Sequence, residues 1–296
     1  MKALAALAVL AVMGRAQTKN QQPPDHPAIT FQGRAYTPRS IVERNMRTEA
    51  DQTAQFPPHK IVGNIYYVGT RTLSSFLIVT PQGNILIDST YERNVRTIQK
   101  SVAQLGFKFS DVKILLGNHA HGDHQEGDAL VKMLTGARVM AMAEDVPALQ
   151  AMKPGGKQHP IDKVLHDGEA VALGGTTLVA HLTAGHTRGC TTWTTTAEEG
   201  GKTYKVVFGC SLRAPTPLTP AIVAEFNRTF KALRVLPCDV PLGDHPAEYG
   251  MEEKYAKLKS GGPNPFVDPV NCTQEADMEE AMFHAILNEQ QKDARR

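Results

Sequence analysis

The chain has 296 residues, which is enough for one large domain or two small ones. Its residues are 41% hydrophobic and 21% charged, a balance that is typical of soluble globular proteins. The formal charge of +2 falls to 0 if the two basic residues of the N-terminal segment, Lys2 and Arg15, are removed. A neutral protein is a poor candidate for binding nucleic acid or an anionic membrane, and we expect neither partner.

The first residues predict an export signal. Lys2 precedes an unbroken apolar run over residues 3–13, and the small residues Gly14 and Ala16 follow it. This run is too short to span a bilayer, and small residues at these positions indicate cleavage after Ala16. We therefore predict a signal peptide at residues 1–16, a periplasmic or secreted protein, and no membrane attachment after cleavage.

The remaining chain divides into segments that differ in composition and hydrophobic pattern. Residues 17–58 are polar and irregular, and we predict an arm that lies on the surface of the domain. Residues 59–290 form the predicted domain and residues 291–296 a fraying C-terminal tail. The domain begins with short apolar segments on either side of Gly63-Asn64 and of the turn Pro81-Gln82-Gly83, which indicates antiparallel strands.

Helices and strands then alternate. Ser89 and Glu92 have the spacing of a capping box, and apolar residues on one helical face follow until Gly106. A strand over 112–116, a helix ending at Gly136 and a strand over 137–142 come next. This alternation predicts the α/β fold class with a layered core.

The strand over 112–116 leads into the sequence His119-Ala120-His121-Gly122-Asp123-His124. Imidazole and carboxylate groups together favour a borderline metal ion such as Zn²⁺. His119 and His121 can point to one side of an extended segment, whereas Asp123 and His124 lie beyond Gly122, where the chain can turn. One loop could therefore present two ligand sets to two neighbouring metal ions.

Two later segments place further histidines after strands. A hairpin about Gly174-Gly175 leads to His186, and strands at 235–236 and 240–243 lead to Asp244 and His245. A helix with Thr219 as its cap lies between them, and an amphipathic helix ends the domain. Residues 144–163 are less regular, and two alternatives stay open: a loop over the site or a plain surface excursion.

The four cysteines, Cys190, Cys210, Cys238 and Cys272, are an even set in an exported chain and predict two disulfides among three possible pairings. A long hairpin that turns near residue 200 places Cys190 opposite Cys210, within the reach of a disulfide. Exclusion then pairs Cys238 with Cys272. The alternative for Cys210 is a thiolate ligand of zinc.

The histidine motif, followed by Gly185-His186-Thr187 and His245, resembles the signature of the metallo-β-lactamase superfamily. The similarity runs from about residue 60 to residue 287. Three segments look like subclass B3 of that family: residues 63–70, residues 184–193 and Asn264-Pro265-Phe266-Val267-Asp268-Pro269. The resemblance implies an αββα sandwich with its site along one edge of the sheets.

The resemblance also implies the ligands and the reaction. His119, His121 and His186 would hold one Zn²⁺, and Asp123, His124 and His245 a second. A zinc-bound hydroxide, oriented by Asp123, would attack the β-lactam carbonyl of penicillins, cephalosporins and carbapenems. Such an enzyme confers antibiotic resistance on bacteria, acts on a small-molecule substrate, and is expected to be a monomer.

Other positions match the family in part. Ser211 matches a serine that holds the substrate carboxylate, and Asp88 matches an aspartate that fixes a ligand imidazole, although it could equally be a strand-end cap. Cys238 and Cys272 match a disulfide usual in this subclass. The chain departs from the family pattern at three positions, which put substrate range in doubt: Glu126 replaces a glycine, Asp244 a small residue, and Arg213, a candidate substrate contact, a second serine.

Two other functions remain as alternatives. One is a different dizinc hydrolase of the same fold, such as a lactonase or a glyoxalase II-like thioesterase. Those relatives usually bridge their metals with an aspartate where this chain has Gly209-Cys210-Ser211. The other is a zinc-binding protein without catalysis, which would be expected to have lost a ligand.

Overall fold

The computed structural model describes residues 23–296, and the predicted signal peptide lies outside them. Within residues 23–296, no helix is long and apolar enough to cross a membrane. The described chain forms two mixed β-sheets that pack face to face, with helices on both outer sides. This αββα arrangement confirms the predicted fold class.

The segment before the first sheet is more ordered than we predicted. It contains β1 (Ile29–Phe31), β2 (Arg34–Tyr36), α1 (Pro38–Met46) and α2 (Glu49–Thr53). Thr37 and Thr48 cap the two helices with their hydroxyl oxygens, which satisfies backbone N–H groups at the helix starts. Ile41 is 1% exposed and packs with residues of the C-terminal helix. The segment is therefore not irregular, and its helices gave no signal in the sequence because short capped helices carry too few apolar residues to show a period.

The larger sheet contains seven strands in chain order: β3 (His59–Val62), β4 (Ile65–Tyr67), β5 (Phe76–Thr80), β6 (Gly83–Ile87), β7 (Val112–Leu116), β8 (Arg138–Met142) and β9 (Lys163–Leu165). The pairs from β3 to β6 are antiparallel, and those from β6 to β9 are parallel. The parallel half requires crossover connections, and helices supply them on the outer face. Antiparallel entry followed by α/β alternation confirms the predicted order.

The smaller sheet contains five strands: β10 (Ala170–Leu173), β11 (Thr176–Leu182), β12 (Thr191–Glu199), β13 (Lys202–Gly209) and β14 (Val240–Gly243). The other helices are α3 (Val95–Gln104), α4 (Gly122–Gln125), α5 (Asp128–Thr135), α6 (Val146–Ala151), α7 (Pro220–Leu233), α8 (Met251–Ser260) and α9 (Gln274–Asp293). The last helix thus continues past residue 290, where we predicted a fraying tail.

The central strands are apolar on both faces because each face is covered. On β6, Ile85 and Ile87 pack between the two sheets, whereas Leu86 packs against α3. On β7, Ile114 and Leu116 likewise face the other sheet. Neighbouring residues of a strand point to opposite sides, so two buried faces produce a continuous apolar run. The carboxyl ends of these runs reach one edge of the sandwich.

Two local predictions were wrong. Ser89 does not cap α3, which begins at Val95 after a short 3₁₀ turn; its hydroxyl donates instead to a carboxylate oxygen of Asp128, at 2.5 Å. Residues 235–236 form no strand, and Val235 is 78% exposed at the end of α7. In both cases a contact or an exposure set by the tertiary fold outweighs the local pattern.

Both predicted disulfides are present in the structure. Cys190 and Cys210 lie 5.9 Å apart at Cα, and Cys238 and Cys272 lie 6.0 Å apart. The hairpin register differs by one residue from the predicted one, since Trp193 pairs with Phe208. The disulfide still forms, because both cysteines lie just beyond the paired strand ends, where the chain has more freedom.

The buried position of Ile41 predicts that the N-terminal segment stabilises the whole domain. Ile41→Ala should lower the free energy of unfolding by about 2–5 kcal/mol through lost burial and a residual cavity. Equilibrium urea unfolding would measure this. Glu43→Ala is the matched control on the exposed side of α1 and should change the free energy little. Equal effects of the two substitutions would contradict the prediction.

Candidate metal centre

The loop after β7 carries most of the candidate ligands, and Asp88 holds it at both ends. One carboxylate oxygen of Asp88 accepts the N–H of Asn118 at 2.8 Å, and the other lies 3.2 Å from Nδ1 of His124. Asp88 itself has a left-handed φ of 59°, which a non-glycine residue adopts only when its surroundings enforce it. Asp88 therefore both follows the end of β6 and contacts a predicted ligand imidazole, so its two predicted roles do not exclude each other.

The first predicted ligand set comes together in the structure. His119, His121 and His186 each place one ring nitrogen within 4.8 Å of the others. Nε2 of His186 lies 3.1 Å from Nδ1 of His121. His186 follows β11, so the two sheets contribute to the set from the same edge. Without an ion, one of these two nitrogens must donate a hydrogen to the other, whereas a shared cation would accept a lone pair from both.

The second predicted set lies next to the first. One oxygen of Asp123 is 3.4 Å from Nε2 of His124 and 3.9 Å from Nε2 of His245. The rings of His119 and His124 are 4.1 Å apart between centroids, which places the two sets side by side. The structure thus brings all six predicted ligands to one place, including His245, which follows β14.

The outer ring nitrogens are already engaged. Nδ1 of His186 lies 2.8 Å from the carbonyl oxygen of Arg213, and Nδ1 of His245 lies 3.0 Å from that of Thr72. Nδ1 of His124 and Nδ1 of His119 lie near carboxylates, at 3.2 Å in both cases. Such contacts fix the tautomer with a proton on Nδ1 and leave Nε2 as the free donor atom. That is the usual arrangement of histidines that bind metal ions.

Burial keeps most of these imidazoles neutral. It lowers the pKa of His119 to about 3, helped by the nearby His124, and it lowers the pKa of His121 to about 4. The pKa values of His186 and His245 are also lowered, first by burial. Neutral imidazole is the form that binds metal ions, so these rings need not lose a proton first.

His124 behaves differently because it lies between carboxylates. Burial alone would lower its pKa, but Asp123 and Asp244 raise it well above the usual value. Nε2 of His124 makes no hydrogen bond within the described part of the chain, since the approach of Asp123 is too long. A buried nitrogen without a partner, beside a carboxylate, fits a divalent cation that would take the place of the proton.

Asp145 was missed by our sequence reasoning. Its carboxylate accepts the N–H of Ala120 at 2.9 Å and the N–H of Gly189 at 2.7 Å, and the hydroxyl of Thr187 also donates to it. It therefore ties the loop of His119 and His121 to the loop of His186. The signal was its place soon after β8, at the same sheet edge as the histidine motif.

Five of the six predicted ligands line a cavity of about 200 Å³, whereas His124 is fully buried and does not line it. Ser211 and Arg213, the two predicted substrate contacts, line it too. The remaining lining comes from α1: Val42, Asn45 and Met46. Sequence reasoning missed this wall, because nothing in a polar segment points to a site far along the chain. Within the described residues, none of the residues from 144–163 lines this cavity.

Three further positions are now placed. Glu126 is partly exposed near Tyr91 and lies outside the cavity lining. Asp244 is buried against His119. Cys210 lies close to His119 as well, but its sulfur is bonded to Cys190. The alternative of a thiolate ligand was therefore wrong, because a disulfide sulfur carries no charge for a metal.

The chain matches solved structures over most of its length, although no protein-family model matches it. FEZ-1 metallo-β-lactamase from Legionella gormanii is 44% identical over 81% of this chain and 98% of that chain, with a TM-score of 0.77. BJP-1, a subclass B3 metallo-β-lactamase of Bradyrhizobium japonicum, is 36% identical over 82% and 98%, with a TM-score of 0.76. SMB-1, a metallo-β-lactamase in complex with mercaptoacetic acid, is 33% identical over 81% and 99%, with a TM-score of 0.74.

Fold, site motif and sequence identity agree over nearly the whole length of these relatives. The chain belongs to subclass B3 of the metallo-β-lactamase family and is a hydrolase of that family.

Proposed function

We propose that this protein is a dizinc β-lactamase that hydrolyses the amide bond of penicillins, cephalosporins and carbapenems. The observation that carries the proposal is the pair of adjacent ligand sets, of which five members line one cavity together with Ser211 and Arg213. We also propose a periplasmic or secreted, monomeric enzyme that confers antibiotic resistance on a bacterium.

The donor set supports the proposed cofactor. His119, His121 and His186 would hold one zinc ion, and Asp123, His124 and His245 the other. Three protein ligands for each ion leave coordination positions open, which is typical of catalytic rather than structural zinc. When bound, zinc acts as a Lewis acid on the lactam carbonyl and lowers the pKa of water.

Asp123 is suited to orient the attacking water and to move a proton. Burial by itself would raise its pKa, but His124 and His245 hold the pKa well below the usual value, so Asp123 is a carboxylate. It can accept a proton from water as the bond from oxygen to the carbonyl carbon forms. It can then donate that proton to the lactam nitrogen as the carbon–nitrogen bond breaks. Asp123 lines the cavity in which both proton transfers would take place.

Arg213 and Ser211 are suited to hold the carboxylate that these substrates share. Arg213 lines the cavity and forms no salt bridge within residues 23–296. Its charge helps to lower the pKa of His121. A guanidinium can bind a carboxylate through two parallel N–H groups, which fixes the direction of the substrate. The lactam carbonyl would thereby be directed towards the ligand sets.

The lactonase or thioesterase alternative is less well supported. It would need a bridging aspartate at the end of β13, where Cys210 forms a disulfide with Cys190. The nearest carboxylate in that region, Asp244, has its oxygen 3.2 Å from Nδ1 of His119, on the outer side of that ring. The same oxygen also accepts the N–H of Ser211 at 2.8 Å, so it is already engaged by two groups of the protein.

We expect His121→Ala to lower kcat/KM for a chromogenic cephalosporin and for a carbapenem by about 100-fold or more, because one ion would lose a ligand. A chelator should abolish activity of the wild-type protein, and added zinc should restore it. His181→Ala is the matched control, since His181 lies on β11 and contacts Thr194 outside the cavity.

Activity that survives both the chelator and His121→Ala would contradict the proposal. A folded protein that retains two zinc ions but turns over neither substrate would favour the lactonase or thioesterase alternative.

Removing Arg213 should weaken substrate binding more than it slows the reaction. Arg213→Ala is expected to raise KM about 10-fold to 100-fold, because a charge-assisted contact is lost, with a smaller change in kcat. Steady-state kinetics on a penicillin and on its methyl ester would test this, and the ester should show little effect. Arg188→Ala, an exposed arginine two residues after His186, is the control. Equal losses on acid and ester would contradict the role of Arg213.

A further inference from the structure

Asp244 is a buried carboxylate that the proposed reaction does not use. It directly follows β14, and its side chain is fully buried. One oxygen lies 3.2 Å from Nδ1 of His119 and accepts the N–H of Ser211 at 2.8 Å. Its backbone carbonyl accepts the N–H of Ser74 at 3.0 Å. One oxygen of the carboxylate is thus held by two groups, and the backbone of the same residue by a third.

The charge of Asp244 needs a compensating cation. A buried carboxylate is costly unless it is paired, and its nearest ionisable neighbours are His119, His124, His245 and the second carboxylate Glu248. Glu248 accepts from the side chain of Asn45 at 3.0 Å and from the N–H of His245 at 3.3 Å. The carboxylate of Asp244 lies directly behind the ring of His119, 3.2 Å from its Nδ1.

The two ligand sets share one pattern. In the second set, Asp88 lies 3.2 Å from Nδ1 of His124. In the first set, Asp244 lies 3.2 Å from Nδ1 of His119. His186 of the first set contacts only a backbone carbonyl with that nitrogen. Each set thus contains one imidazole whose outer nitrogen faces a buried carboxylate.

We propose that Asp244 is the positioning residue of the first metal ion. It fixes the ring of His119 with Nδ1 protonated and Nε2 directed to the ion, and it adds one negative charge close to that ion. Asp88 has the same relation to the second ion. The inference rests on the proposed zinc site, and it assigns a role to the position at which this chain departs from the small residue of its family.

The test isolates the first ion. Asp123→Ala removes a ligand of the second set, so that zinc titrated against a chromophoric chelator at fixed pH reports the three-histidine set. In this background we expect Asp244→Ala to weaken zinc binding about 10-fold to 100-fold, as for other residues that orient a ligand histidine. Asp244→Asn should lose less, because one amide oxygen can still accept from both His119 and Ser211.

Asp128→Asn in the same background is the matched control. Asp128 is also a buried carboxylate beside an imidazole, 3.1 Å from Nε2 of His159, but neither residue is a proposed ligand. Its substitution should leave zinc binding to the first set unchanged within about twofold. Circular dichroism and urea unfolding of the metal-free proteins would show whether each variant keeps its fold. Asp244→Asn keeps the buried shape and both hydrogen bonds, so it remains informative if Asp244→Ala unfolds.

The possible outcomes separate the two proposals. Folded Asp244 variants that bind zinc as tightly as the parent would overturn the inference, as would an equal loss from Asp128→Asn. A stepwise loss from Asp to Asn to Ala, or a loss in Asn alone when Ala unfolds, would support it. If the wild-type protein binds no zinc under the same conditions, the proposed function itself fails.

Discussion

The hydrogen bonds of the Asp88 carboxylate are the interaction on which the site depends. They join the beginning of the histidine loop, at Asn118, to its end, at His124. Burial raises the pKa of Asp88 to about 6, although the contact with His124 works against this rise. The left-handed backbone of the same residue shows that the surrounding fold enforces this geometry. A loop of short residues can therefore hold several rings in fixed positions without a long helix beneath it.

The second constraint is that charge is concentrated where the two sheets share an edge. Parallel strands end there, so polar side chains from β7, β8 and β14 meet without crossing the apolar core. Asp145 then ties two of the loops to each other, and the Cys190–Cys210 disulfide closes the hairpin beside His119. Rigid loops suit a hydrolytic metal site, because ligands that are already in place need little reorganisation when the ion binds.

The N-terminal segment connects stability with the site. Arg44 of α1 pairs with Glu275 of α9, and Asn45 donates to Glu248, three residues after His245. The same helix presents Val42 and Met46 to the cavity. The contacts that hold α1 on the domain thus also place one wall of the proposed substrate pocket. A segment that resembles a surface arm in composition is part of both the core and the site.

Much of this protein was readable from local sequence. The apolar runs predicted the central strands, the histidine motif predicted a cluster of metal-binding side chains, and the hairpin predicted the Cys190–Cys210 disulfide, which left Cys238 to pair with Cys272. These features depend on residues close in sequence, or on a hairpin whose two strands are adjacent. The order of strands and helices was predicted for the same reason.

What tertiary structure alone decided are contacts between residues far apart in the chain. The capping pattern at Ser89 failed because its hydroxyl reaches Asp128, and the polar segment around Ile41 proved to be structural because it covers α9. The positions of Asp145 and Asp244 behind the ligand loops could not be read from spacing either. The physical reason is that a buried carboxylate is recognised by its partners, and these partners are brought together only when the two sheets pack.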